Sequence, residues 1–127
     1  MPDAVPGPRA EVAALLPALR EAAEWAGAMV HRLGDAATAP GHDGGWTPVR
    51  IVVHLAAVDA EVWTPRFRQL AAHDHPTWVW TEPDLAGRAD PSPDEAAEAF
   101  GGTRAALMAA FAAMSPGVDG GAGAIDG

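Results

Sequence analysis

The chain has 127 residues, 17 acidic and 8 basic side chains and a formal charge of −9; the length suits one domain, and the charge opposes approach to phosphate backbones. It has no cysteine, which removes disulfide frameworks, thiolate metal sites and cysteine nucleophiles. No apolar run approaches the length of a membrane span, and the start "MPDAVPGPRAEV" lacks a basic segment followed by an apolar one, so neither nucleic acid nor membrane is expected as a partner and the expected location is cytoplasmic.

Abundant alanine, few β-branched residues and the absence of tyrosine favour helix over strand. Residues 1–8 carry Pro2, Pro6, Gly7 and Pro8 and read as a flexible lead-in. From Arg9 to Leu33, apolar residues at helical spacing (Val12, Leu15, Leu16, Leu19, Ala22, Ala23, Ala26, Met29, Val30 and Leu33) predict a first amphipathic helix, with a kink or start near Pro17 and a stop at Gly34. The second helix has a clearly written entry: Thr47 as N-cap, Pro48 at the first helical position, and Trp46 stapled onto Ile51. It is expected to run to Ala72 and to bend between Trp63 and Arg66, because Pro65 cannot donate to the carbonyl of Glu61.

Residues 73–91, "HDHPTWVWTEPDLAGRADP", form a long connection. Ser92, Pro93 and Glu95 write a second capped start, and Ala96, Phe100, Thr103, Leu107, Ala110, Phe111 and Met114 mark the apolar stripe of a third helix. Gly101 and Gly102 either weaken that helix or let a neighbour approach. Residues 116–127 are glycine-rich and read as a flexible tail. The expectation is an all-α, up-and-down helical bundle over residues 9–115, with three readable helices and no fourth. Alanine is small, so large residues, the five tryptophans above all, are expected to fill its core.

His54, in the apolar run "RIVVHLAAV", is either a neutral imidazole ligand facing the bundle interior or a half-buried histidine satisfied by a loop carbonyl or by Glu61. Glu61, seven residues on, and Arg50, one turn before, return to nearly the same face and frame a polar pocket around it. His73, Asp74 and His75 read as a solvated helix end that could collect a metal weakly, and His31 and His42 as surface residues. Trp78, Val79 and Trp80 either wall a ligand pocket or cover one end of the core. Arg104 pairs with a bundle carboxylate or holds a substrate carboxylate. Trp25, Trp63, Phe67, Phe100 and Phe111 are expected in the core or at a dimer contact. No sequence signal marks a nucleophilic serine elbow, a phosphate-cradling loop or a dinucleotide fingerprint, and no catalytic residue is assigned.

The run "GWTPVRIVVHLAAVDAEVWTPRF", with Trp46, Thr47, Pro48, His54, Leu55, Glu61, Trp63 and Arg66 in order, followed by "FGGTRAALMAAFAAM" with Phe100, Arg104 and Leu107, resembles the DinB-like superfamily of four-helix bundles. That superfamily includes proteins related to mycothiol-dependent maleylpyruvate isomerase. The resemblance implies a divalent metal, zinc or nickel, held by three histidines; His54 matches the first, while the fourth helix with the other two has no counterpart in this sequence. It further implies a small-molecule substrate and a low-molecular-weight thiol in transferase or hydrolase chemistry. The alternative is a non-catalytic or truncated bundle whose apolar groove binds a partner helix or makes a homodimer.

Overall fold

The computed structural model describes residues 8–72 and 75–114. The lead-in up to residue 7, the tail, and His73 and Asp74 lie outside the described residues. Among the described residues the chain is all-helical, in the order α1 (Pro8–Leu33), a 3₁₀ turn (Gly34–Thr38), α2 (Pro48–Val58), a π segment (Asp59–Trp63), α3 (Thr64–Ala71) and α4 (Pro93–Ala113). Since α2, the π segment and α3 follow one another without a break, they form a single rod, and three rods result. No helix among the described residues is long and apolar enough to cross a membrane.

Local chemistry sets the helix ends. α1 runs through Pro17 and ends at Gly34, whose φ of 56° is the left-handed value that a side chain would resist. The Thr47 hydroxyl accepts from the Arg50 amide at 3.0 Å, with Pro48 at the first position of α2. Ser92 and Glu95 close a reciprocal box at the start of α4: the Glu95 amide donates to Ser92 Oγ at 3.2 Å and the Ser92 amide to Glu95 Oε1 at 2.9 Å. The Ser92 backbone amide, and after it the Ser92 side chain, holds the Glu95 carboxyl below the usual glutamate value. Because the folded-state value is lowered, this carboxylate's contribution is fully present above the unfolded-state value and is lost as pH falls through the folded one. Ser92→Ala is therefore expected to raise the Glu95 titration midpoint in a carboxyl NMR titration. The Ser92 backbone amide survives that substitution, so an unmoved midpoint would contradict the side-chain half of the box.

The expected bend appears as a change of helical register. Pro65 has no amide to donate to Glu61, and one residue before it the Thr64 amide donates five residues back, to the Asp59 carbonyl. The Thr64 hydroxyl is left buried without a hydrogen-bond partner.

The rods do not alternate up and down as the sequence suggested. Gly27 sits against Ala97, and the Leu19 carbonyl accepts from Arg104, so α1 and α4 are antiparallel. Asp59 pairs with Arg104 and Phe67 with Phe111, so the α2–α3 rod runs parallel to α4. A parallel return requires a long crossover, and the connection before α4 supplies it. It runs back along the rod as a strap, Trp78 at Gln69, Val79 at Arg66, Glu82 at His54 and Asp90 at Arg50.

The core gathers at the end nearest the α1–α2 turn: Ala23, Val30, Ala37, Val49, Val52, Ala56, Ala96 and Phe100. None of the five tryptophans is in it, and Trp25, the most exposed, shows 65% of its surface. Close approach replaces bulk as the space-filling device. A Cβ on Gly27 would meet the Ala97 Cβ at 3.2 Å, so α1 and α4 touch nearly backbone to backbone. Gly101 and Gly102 do not serve that purpose, since a Cβ at either meets nothing within 4 Å. Gly102→Ala is accordingly expected to stabilise the chain by about 0.5–1 kcal/mol through unfolded-state entropy and helix propensity. A lower urea midpoint in that variant would contradict the open surroundings.

Candidate functional site

Three features compete for the role of a site: the surroundings of His54, the buried pair at the centre of the rods, and the groove between α1 and the α2–α3 rod.

At His54 the helix turns the imidazole toward the strap and away from the buried face made by Val49, Val52 and Ala56. Its Nδ1 lies 3.5 Å from Glu82 Oε1, beyond ordinary hydrogen-bond length, and is buried without a hydrogen-bond partner. Trp46 covers the ring at 5.2 Å between centroids, and the Trp80 indole donates to the other Glu82 oxygen at 2.9 Å. The separation of Nδ1 and Oε1 is close to the roughly 3.3 Å that two donors show on one tetrahedral ion with bonds of about 2.0–2.1 Å. Two donors are too few, however, and among the described residues no group of three metal-ligating side chains exists. The described residues by themselves do not fit a zinc- or nickel-type centre.

The flanking residues expected to frame a pocket fasten the strap instead. Arg50 donates to the Leu85 carbonyl (2.9 Å), the Arg88 carbonyl (3.4 Å) and Asp90 Oδ1 (2.8 Å), a three-point hold that presses Leu85 into the interior. Glu61, inside the π segment, meets Arg88 at 3.2 Å and not His54. Arg66 lies within 5.0–5.9 Å of the Trp63, Trp78 and Trp80 rings while donating to the Val79 carbonyl. Trp78 and Trp80 thus wrap a guanidinium on the outside of the rod and cover no core. His75 and His42 are exposed, and His31 pairs with Asp94 at the surface, 2.9 Å apart.

Arg104, also singled out in the sequence, sits at the centre of the rods. Its guanidinium grips Asp59 with two bonds, Nε to Oδ2 at 2.7 Å and Nη2 to Oδ1 at 3.2 Å, and donates its third to the Leu19 carbonyl at 3.0 Å. All three rods meet there, and Asp59 is 3% exposed. Arg104 also lies 5.0 Å from the Phe100 ring centroid. Asp59, the other half of the pair, was not singled out in the sequence; a carboxylate between Val58 and Ala60 in an otherwise apolar run was the available signal.

Above that pair the rods splay. Leu15 and Leu19 of α1, Leu55, Trp63 and Phe67 of the second rod and Phe111 of α4 line an open groove of about 480 Å³, with Asp59 and Arg104 on its floor. It continues past Leu55 into a shallower trough between Trp25, Met29 and Leu33 on one wall and Pro48 and Ile51 on the other. Leu15, Trp25, Leu33, Ile51, Leu55 and Trp63 each remain 37–65% exposed. A soluble monomer seldom leaves so many large apolar side chains along one line. A larger depression of about 740 Å³ lies on the outer face of α1 and α4, but small residues such as Gly27, Ala97, Gly101 and Ala105 form much of it. Burying that face gains less apolar area than burying the groove.

Comparison of the chain with protein-family models, with curated proteins and with solved structures finds no match in any of the three.

Proposed function

We propose that the chain is a helix-binding module, a three-rod frame whose groove between α1 and the α2–α3 rod receives one more helix. The observation that supports this reading is the unbroken line of half-exposed leucine, isoleucine and tryptophan side chains from Leu15 and Trp63 to Leu33 and Ile51. Burying a side chain of this kind gains about 1.5–3 kcal/mol, so a helix contributing four or five apolar anchors would bind with useful affinity after ordering costs. Helix-in-groove recognition reads anchors at i, i+3, i+4 and i+7. Selection from an unbiased library of helical peptides tests it: enriched sequences should carry that spacing and should lose binding to Leu55→Asp. Enrichment of no amphipathic pattern would sink the reading.

A second reading, a DinB-like protein using a divalent metal and a thiol on a small molecule, draws on the unpartnered Nδ1 of His54 with Glu82 beside it. It requires further donors from outside the described residues. Metal analysis of the purified chain should then find near-stoichiometric metal that His54→Ala removes; metal-free protein in both forms would end it.

A further inference from the structure

We infer that the helix this groove takes is basic on its polar face and comes from a different protein, not from a second copy of this chain. The inference rests on the helix-binding reading above and adds the chemistry of the partner. The groove walls set length: from Leu15 to Leu33 α1 advances about 27 Å, which a partner helix of roughly 18 residues would match.

The rim sets charge. Glu11 and Glu21 are exposed on α1, each four residues before a groove residue, Leu15 and Trp25, and therefore stand on the same side of the helix. Beside the other wall, Glu82 of the strap accepts from Trp80, whose ring lies 6.5 Å from that of the groove residue Trp63, and its side chain is 59% exposed. Four of the cations are engaged elsewhere: Arg50 with Asp90, Arg88 with Glu61, Arg104 with Asp59, and Arg66 among three tryptophan rings. Arg32, next to Leu33, Arg68, next to Phe67, and Arg20, which lines the outer α1–α4 face, are exposed as well, so among the described residues the groove's two ends carry a cation each beside the carboxylates of its rim. A second copy would bring a charge of −9 against −9, whereas lysines or arginines flanking the apolar face of a partner helix would meet the acidic rim. The chain's own last residues, "SPGVDGGAGAIDG", offer two acidic residues, five glycines and no apolar repeat at helical spacing, so their sequence does not match the groove either.

The full chain, titrated by calorimetry, tests this with three 18-residue peptides. One is a leucine–lysine helix with leucines at i, i+3, i+4 and i+7, one a shuffled isomer of the same composition, and one a leucine–glutamate counterpart of the first. The expected result is one-to-one binding of the first peptide, at least tenfold tighter than the other two and weakened by salt, to a chain that light scattering shows to be a monomer. Leu55→Asp and Ile51→Asp, both at positions at least 38% exposed, should each weaken binding at least tenfold while leaving the helical circular dichroism unchanged. Equal binding of the leucine–glutamate peptide would overturn the charge assignment, and a dimer that Leu55→Asp dissociates would overturn the choice of partner; in both cases the groove would stand as a docking surface. Binding untouched by either groove variant, or no binding by any peptide to a monomer, would overturn the groove itself.

Discussion

Replacing Arg104 with methionine is expected to cost the fold about 3–5 kcal/mol, the usual consequence of leaving one member of a buried ion pair behind. Asp59 would keep its carboxylate at a place where 3% of its surface reaches solvent, and the three bonds that Arg104 distributes among the rods would vanish together. A domain of this size has about 5–15 kcal/mol in total, so the variant should be marginal at room temperature. Removing both charges is a different experiment. Asp59→Leu combined with Arg104→Met should recover much of the loss, because the pair's Coulomb attraction largely offsets a desolvation cost that apolar replacements never incur. Urea unfolding of the single and double variants measures this; a loss below about 1 kcal/mol for Arg104→Met would show that the pair is not buried as described.

Phe100→Ala should cost a similar 3–5 kcal/mol. Phe100 is 2% exposed and is the one aromatic ring in a core otherwise made of alanine and valine. Alanine and valine have too little reach to collapse into the space it would leave, which places the cost toward the upper part of that range. The ring also underlies the Arg104 guanidinium, so the two losses should not add. In a double-mutant cycle the Phe100→Ala, Arg104→Met chain should lose less than the two single losses combined, and strict additivity would contradict the contact.

Both effects sit on residues that were unequally legible. Phe100 falls on the α4 stripe and Arg104 stands out on the same helix as its one cation, but the pairing of Asp59 was hidden, because its partner is 45 residues away and no local period announces such a pair. The caps at Thr47 and Ser92 were readable in full, since a cap is a local bargain between a hydroxyl and an amide three residues on. The bend at Pro65 was readable as an event but not as a π segment, and that segment holds Glu61, which meets the strap's Arg88. Tryptophan misled. Large apolar side chains usually fill a core, yet here Gly27 against Ala97 brings α1 and α4 together closely enough that none of the five is needed inside. The crossover was visible as length, in the long proline-rich connection, and not as direction, because the strap's hold depends on Arg50 reaching carbonyls 35 and 38 residues ahead. His54 kept its ambiguity until the structure put Glu82 beside it and no third ligand within the described residues.

As one open docking surface, the α1 and α2–α3 walls should respond together to a bound helix. Amide chemical-shift mapping of the chain with the leucine–lysine helix measures that most directly. The largest shifts are expected at Leu15, Leu19, Trp25 and Leu33 on one wall and at Ile51, Leu55, Trp63 and Phe67 on the other, residues that between them line the two parts of the groove. Shifts confined to the outer α1–α4 face around Gly101 and Ala105, or to the strap from Trp78 to Asp90, would contradict it.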